Sequence, residues 1–522
     1  LPLISPKTAA KIFWLFAFFH LLFWTIYPWL TQPSPGTYDV MEAFIMGKEW
    51  IMGSAKHPPL PFWVLESIYQ ICGRADFAGY LAAQCWVLLG LWAVWRLSRE
   101  YLPILPALLV VGASSIYRYF NLGALSYTTS VPPVSLWCLA ICFFYLSLQY
   151  NRFFWWFLTG LVLGLGLLSK YSVGILILSI LLFMIWNPKG RSFWKTSGPW
   201  ISTLTAFFVF LPHLIWVVQN DFITVRSAEG VLVSAPAWYQ HIKSPLTFAC
   251  SQIFLFLPVL IALIPLTGFS WQLERSPLPM EKEDRFKRSF LNFMILFPFL
   301  LHVLVALFFG TKMRTAYGSP LWTLIALWML VFFRYHLTRK TVRRTIYLIV
   351  FLYILTIGSH FVNYQLGCIA SNKAAKIYFP GRQLAEELTK RWQKVSDRPC
   401  PYLSGEWKLA GHAAYQMKDR PSVLCYYYGI NISQKPAALY ASDKDFNEKG
   451  GIILWGMDHS WKENEIPDWI SKRYPCAQIS PEILEIPWDL PSWVPQEKRK
   501  NFPPLRVRYA ILSPPGESKQ IK

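Results

Sequence analysis

Acidic residues are scarce in this chain, with 29 Asp and Glu against 50 Lys and Arg, and several motifs that would give quick answers are missing. No paired CxxC spacing appears, which excludes the usual zinc-ribbon type of metal site. There is no internal repeat, and no low-complexity segment beyond the charged tail at 514–522. What is abundant is apolar: 54% of residues are hydrophobic and 17% aromatic, gathered in long runs that need lipid around them. The net charge of +21 invites a nucleic-acid reading. Its distribution answers that: the basic residues cluster in alternate loops between apolar runs, as inside-positive membrane loops do.

A span of about 20 apolar residues crosses the bilayer core. Runs near 11–30, 78–97, 103–117, 131–149, 154–169, 173–187, 200–218, 246–266, 290–309, 318–335 and 344–364 meet or approach this length, so a polytopic α-helical membrane protein with about eleven transmembrane helices is expected. No small-residue cleavage site follows Leu30, so the first run is expected to remain a helix. Lys7 and Lys11 place the N-terminus in the cytoplasm. The same side collects Arg96, Arg99, Arg152, Lys189, Arg191, Lys195, the basic set from Arg275 to Arg288, and that from Arg334 to Arg344. An odd number of crossings then puts everything after about residue 365 outside. The expected division is a membrane domain at 1–365 and a small C-terminal periplasmic α/β domain at 366–522. Within the latter, a helical pattern at 381–395 precedes the strand-like runs PYLSG, SVLCYYYG and GIILWG. Cys400, Cys425 and Cys476 fall in this outer domain, where three thiols define no pairing.

The first outer loop, 31–77, is too long for a mere connection. Its stretch YDVMEAFIMGKEWIMG reads as an amphipathic helix with Asp39, Glu42 and Glu49 in one sector, suited to lying along the membrane surface. Pro58, Pro59 and Pro61 then force an extended turn before a second apolar stretch, Phe62 to Cys72.

Ionisable groups at the outer face are the candidates for chemistry, because charge near lipid is costly. Asp39 and Glu42, spaced i and i+3, could together hold an acceptor hydroxyl, a divalent ion or each other's proton; a solvated helix face is the plainer alternative. Lys56 beside His57, Arg118, Lys170 with Tyr171, Lys312 and Arg314 would suit a lipid-borne phosphate, which needs charged donors at this depth. Lys170 has apolar sequence on both sides, and its alternative is snorkelling to the interface. Asp221, after Asn220, either closes a membrane helix or orients a substrate. His213 and His302 read as satisfied interior histidines.

In order along the chain, YDVMEAFIMGKEW…KHPPLPFW, LLSKYS, WVVQNDF and KMRTAYGSPLW resemble segments of bacterial GT-C type membrane glycosyltransferases, the glycosyltransferase 39/83-like group related to protein O-mannosyltransferases and lipid A aminoarabinose transferases. In the tail, FPGRQLAEELTKRW, YLSGEWKLAGHAAY and DRPSVL resemble alphaproteobacterial members. The resemblance implies a GT-C fold in the bacterial inner membrane. It also implies inverting transfer of a sugar from a polyprenyl-phosphate donor to a lipid, lipopolysaccharide or other acceptor at the periplasmic face, with no cofactor. Asp39 matches the catalytic carboxylate of that family and Glu42 the adjacent acid. The second outer loop, YRYFNLGALSYTTSVPP, contains no acid, unlike that of some relatives, which tells against a mechanism drawing a carboxylate from both loops. A transporter or flippase for lipid-linked glycans, or a non-catalytic assembly factor, is the alternative. The former usually shows paired repeats and midplane polar groups, and neither is evident.

Overall fold

The computed structural model describes residues 4–35, 38–73, 75–226, 237–269, 272–273, 282–371, 373–425, 442–456 and 468–515. By packing, the chain forms two compact units. One is Leu1–Ile26, Lys56–Pro61 and Leu81–His360; the other is Tyr27–Ala55, Phe62–Tyr80 and Phe361–Lys522. This division runs differently from a cut at 365, because most of the first loop groups with the C-terminal residues.

The first unit is helical, and helices stand at all eleven apolar runs. Seven helices among the described residues are long and apolar enough to cross a membrane, or eight if the bent pair Val173–Trp186 and Pro188–Lys195 counts as one span. Ile104–Ser114, Phe153–Ser169 and Ile325–Phe332 are shorter, so length alone does not establish eleven crossings. The chain is a multi-pass membrane protein. Its innermost span is Val131–Tyr150, buried from Val131 to Leu148, which its nearly all-apolar sequence permits on every face. Phe153–Ser169 packs between this helix and Gly198–Gln219 through small residues: the Ser147 and Thr159 hydroxyls lie 3.1 Å apart, and Gly160 and Gly164 face the other neighbour. A Cβ on Gly160 would come 2.3 Å from the Ser202 carbonyl oxygen, and one on Gly164 2.9 Å from that of Ala206. Paired glycines four residues apart let helix backbones approach where water provides no driving force. The 87° bend before Pro188 falls where Asn187 caps the next helix, its side chain accepting from the Lys189 and Gly190 amides at 3.0 and 3.3 Å.

The second unit is built on a sheet in the order β2-β1-β3-β6-β4, with β5 also paired to β6. The strands are β1 Tyr402–Gly405, β2 Ser422–Cys425, β3 Gly451–Gly456, β4 Gln478–Ile479, β5 Leu484–Ile486 and β6 Leu505–Leu512. β1 runs parallel to both β2 and β3, whereas β6 is antiparallel to β3. Parallel strands are covered on both faces, hence the continuous apolar run of GIILW. Alternate residues part to opposite sides: Ile452 and Leu454 join Leu384, Leu388, Trp392 and Leu409 of the helices Gly381–Gln393 and Trp407–Gln416, while Ile453 and Trp455 pack with Phe446, Ile470 and Tyr474. The expected helix and the three strands occur; SVLCYYYG continues past Cys425 into residues outside those described. Cys400 and Cys476 are free thiols, one buried and one exposed, and the Cys425 side chain also lies outside the described residues.

Helix Tyr38–Lys48 belongs to this unit and is buried from Val40 to Gly47. This departs from a helix lying on a membrane surface, because its apolar face is taken up by helix Trp407–Gln416. Its far end is pinned by a buried ion pair. Arg420 donates to both carboxylate oxygens of Glu66 at 3.0 and 2.6 Å, and its guanidinium lies 4.3 Å from the Phe44 ring and 4.1 Å from that of Tyr69. The Lys48 ammonium donates to the Arg420 carbonyl and to Ser422 Oγ, and Ser422 donates to Glu49 at 2.5 Å. Gly47 is needed here, since its Cβ would lie 2.6 Å from the Phe62 carbonyl oxygen. Removing one partner of such a pair strands a buried charge at a cost of about 3–5 kcal/mol, whereas replacing both with apolar groups costs far less. Glu66→Ala should therefore lower the denaturant concentration at which residues 361–522 become protease-sensitive, and the Glu66→Met/Arg420→Met pair should recover most of the loss.

Candidate functional site

Asp39 occupies the first turn of helix Tyr38–Lys48, where backbone amides and the helix dipole favour a carboxylate. It is half-buried. Glu42, one turn on, is 2% exposed, so the two acids differ in solvation although they share a helix face. The surroundings of the adjacent Tyr38 are basic. Lys376 Nζ lies 4.8 Å from the Tyr38 ring centre and Lys408 Nζ 5.4 Å. His412 meets that ring edge-on at 6.1 Å and stacks on Phe379 at 3.9 Å. Burial pushes the His412 imidazole down to about 3, leaving it neutral at pH 7. Burial, and next the negative charge of Glu406, push the Tyr38 hydroxyl up. Sequence reading did not single out Lys376, Lys408 or His412; the phrase YLSGEWKLAGHAAY carries two of them, but their approach to Tyr38 is a product of the fold.

The expected phosphate-binding residues belong to the other unit, and the structure gathers part of the set. Lys170 follows helix Phe153–Ser169 in an extended conformation. Its ammonium donates to Ser130 Oγ at 3.1 Å and lies 5.8 Å from the Tyr317 ring centre. His57 retains some exposed surface, yet burial, then the charges of Lys56 and Lys170, push its imidazole down to about 3. At neutral pH it therefore offers one N–H donor and no charge. Lys56, His57 and Lys170 thus form one electrostatic group. Tyr171 shares a hydrogen bond of 2.8 Å with His213 Nε2, which ties Lys170's neighbour to helix Gly198–Gln219; His302 bonds the Pro298 carbonyl at 2.8 Å. Both histidines are satisfied in the interior.

Lys312 and Arg314 are exposed and lead into the turn Thr315–Gly318 that carries Tyr317. Gln252, fully buried, holds that turn. Its amide donates to the Thr315 carbonyl at 3.2 Å and accepts from the Trp322 indole at 3.3 Å. Gly318 leaves the room, since a Cβ there would come 1.9 Å from Gln252 Oε1. Arg118 and Asp221 are exposed, and among the described residues neither shares a hydrogen bond or ion pair with the Lys170 group. Asp221 has φ of 53° just beyond helix Gly198–Gln219, the geometry of a helix exit. Ser130, Tyr317 and Gln252 escaped sequence reading, since lone hydroxyl, phenol and amide groups in apolar sequence have no distinguishing spacing. Among the described residues no three His, Cys, Asp or Glu side chains stand close enough to hold a metal ion.

The fold is shared with solved structures of the membrane protein ArnT. Two crystal structures of ArnT from Cupriavidus metallidurans, one bound to undecaprenyl phosphate and one in the apo state, match over 98% of this chain and 100% of theirs, with TM-scores of 0.58 and 0.57 at 11% and 13% identity. In sequence, residues 56–216 match the family described as dolichyl-phosphate-mannose-protein mannosyltransferase. The chain is 23% identical over 199 residues to the lipopolysaccharide core galacturonosyltransferase RgtB of Rhizobium johnstonii, spanning 37% of this chain and 40% of that relative's length.

The neutral, buried His412 makes stability depend on pH. The unfolded imidazole takes up a proton near its ordinary value of 6.5 and the folded one only near 3, so the unfolded state binds more protons and stability falls as pH drops through that window. Acidification from pH 7 to 4 should lower the melting temperature of the full-length wild type more than that of His412→Gln, as read by thermal unfolding in detergent.

Proposed function

We propose that this chain is an inverting glycosyltransferase that takes a sugar from a polyprenyl-phosphate donor and transfers it to a lipid or lipopolysaccharide acceptor at the periplasmic face. The observation that carries this reading is Lys170, held by Ser130 and Tyr317 beside Lys56 and His57 at the end of apolar helices. An anion that arrives on a lipid chain calls for such a group. The undecaprenyl phosphate bound in one ArnT structure and the name of the galacturonosyltransferase relative support the same class.

In the reaction so read, an acceptor oxygen bonds to the anomeric carbon as the bond from that carbon to the phosphate oxygen breaks. The leaving electron pair stays on the phosphate, whose growing charge Lys170 and Lys56 neutralise, with the His57 N–H as an uncharged donor. A lipid phosphate leaves without general acid help. Asp39 takes the proton from an acceptor hydroxyl, or orients an acceptor that is itself a phosphate. Attack opposite the departing phosphate inverts the anomeric centre. Lys376 and Lys408, next to Tyr38, supply positive charge suited to an anionic acceptor, with the C-terminal residues on the periplasmic side. Arg118, Lys312 and Arg314 contribute further cationic headgroup contacts, while Glu42 supports Asp39.

Asp39→Asn should abolish transfer with the protein still present in the membrane, read by mass spectrometry of the lipid and lipopolysaccharide fractions of wild-type, deletion and variant cells. A sugar missing in both deletion and variant cells names the substrate. A loss confined to the deletion points to a transporter or assembly factor instead. Lys170→Met should raise KM for the polyprenyl-phosphate donor by roughly tenfold or more, the effect of losing one charge-assisted contact, and leave acceptor KM unchanged.

A further inference from the structure

Helix Lys282–Phe309 bears a graded stripe that the reading above leaves unused. Arg285, Arg288, Ser289 and Asn292 line one end of a groove of about 550 Å3, and Phe293, Leu296, Phe297 and Leu300 continue it. These positions recur at spacings of three and four, so they lie on one helix face. Their character passes from guanidinium through hydroxyl and amide to purely apolar. From residue 285 to residue 300 the face runs about 22 Å at 1.5 Å per residue, which is close to one leaflet's headgroup plus hydrocarbon depth of roughly 20–22 Å.

The groove is a formed wall rather than a set of loose side chains. Arg288 Nη2 donates to the Val331 carbonyl at 3.1 Å, and the guanidinium rests 5.1 Å from the Phe332 ring centre. Asn292 accepts from the Trp328 indole at 2.6 Å. Trp186, from helix Val173–Trp186, closes the apolar part by stacking on Phe293 at 5.8 Å, and Phe293 stacks on Phe297 at 4.4 Å. Arg285 is exposed at the rim. Of the nearby acids, Glu283 is engaged by Lys189 at 3.4 Å, and Asp284 is exposed beside Arg285. The charge gradient matches one class of occupant: an anionic phosphate at the arginine end and a hydrocarbon chain along the aromatic and leucine end.

We propose that this groove binds one anionic glycerophospholipid of the surrounding membrane, its phosphate on Arg285 and Arg288 and an acyl chain against Phe293, Leu296 and Trp186. The site is separate from Lys170 and independent of the transferase reading. The test is native mass spectrometry of the purified full chain titrated with phosphatidylglycerol, phosphatidylcholine or undecaprenyl phosphate. The wild type should retain one phosphatidylglycerol in preference to phosphatidylcholine. Arg285→Gln/Arg288→Gln should cut that retention roughly thirtyfold, as expected for two interfacial cations. Leu296→Trp, which keeps both arginines and fills the apolar part, should cut it as well, with thermal unfolding in phosphatidylcholine nanodiscs unchanged for that variant. Equal retention of the two glycerophospholipids, unchanged retention in the variants, or undecaprenyl phosphate displacing phosphatidylglycerol at this site would overturn the proposal.

Discussion

The buried pair of Arg420 and Glu66 is the constraint on which the second unit depends. Arg420 is itself at a positive φ of 48°, an uncommon backbone for a side chain of this size, and that conformation points its carbonyl to Lys48 and its guanidinium to Glu66. Two stretches of the first loop, helix Tyr38–Lys48 and helix Leu60–Cys72, thereby share a single arginine with the start of β2. A charge buried this far survives only because both carboxylate oxygens are used and two aromatic faces flank the guanidinium. The helix that carries Asp39 is oriented from its opposite end by this cluster, so the position of the acid is a consequence of packing some two turns away.

The membrane unit solves a different problem. Helices in lipid gain little from hiding apolar surface, and the close packing of Phe153–Ser169 rests on glycine and hydroxyl contacts instead. That packing sets where the helix ends and therefore where Lys170 emerges. Once there, the ammonium finds Ser130 and Tyr317, the latter on a turn held by buried Gln252. Lys56 and Lys170 both act on His57, and burial together with their charges keeps its imidazole neutral.

Much of the fold was legible. Apolar runs announced every membrane helix because length and hydropathy are local properties. GIILWG and the helix at 381–393 were readable for the same reason, whereas β6 was overlooked although LRVRYAIL alternates apolar residues with Arg506 and Arg508. Helix Tyr38–Lys48 was correctly a helix and wrongly a surface one: a hydrophobic face looks the same whether lipid or the Trp407–Gln416 helix will cover it. Of the site, the acids and lysines stood out as costly charges in apolar sequence. Their neutral partners did not, because Ser130, Tyr317 and Gln252 become polar contacts only when distant segments meet.

By itself, then, the sequence determined a multi-pass membrane chain, the positions of its helices and the existence of a mixed α/β segment, since each follows from composition over a few turns. Only the tertiary structure decided that Lys170 meets Ser130 and Tyr317 and that His57 feels the charges of Lys56 and Lys170. It also decided that residues 27–55 and 62–80 fold with the C-terminal residues. Those outcomes depend on contacts between positions hundreds of residues apart, such as Glu66 with Arg420, and no local pattern encodes which of many possible partners a buried charge will find.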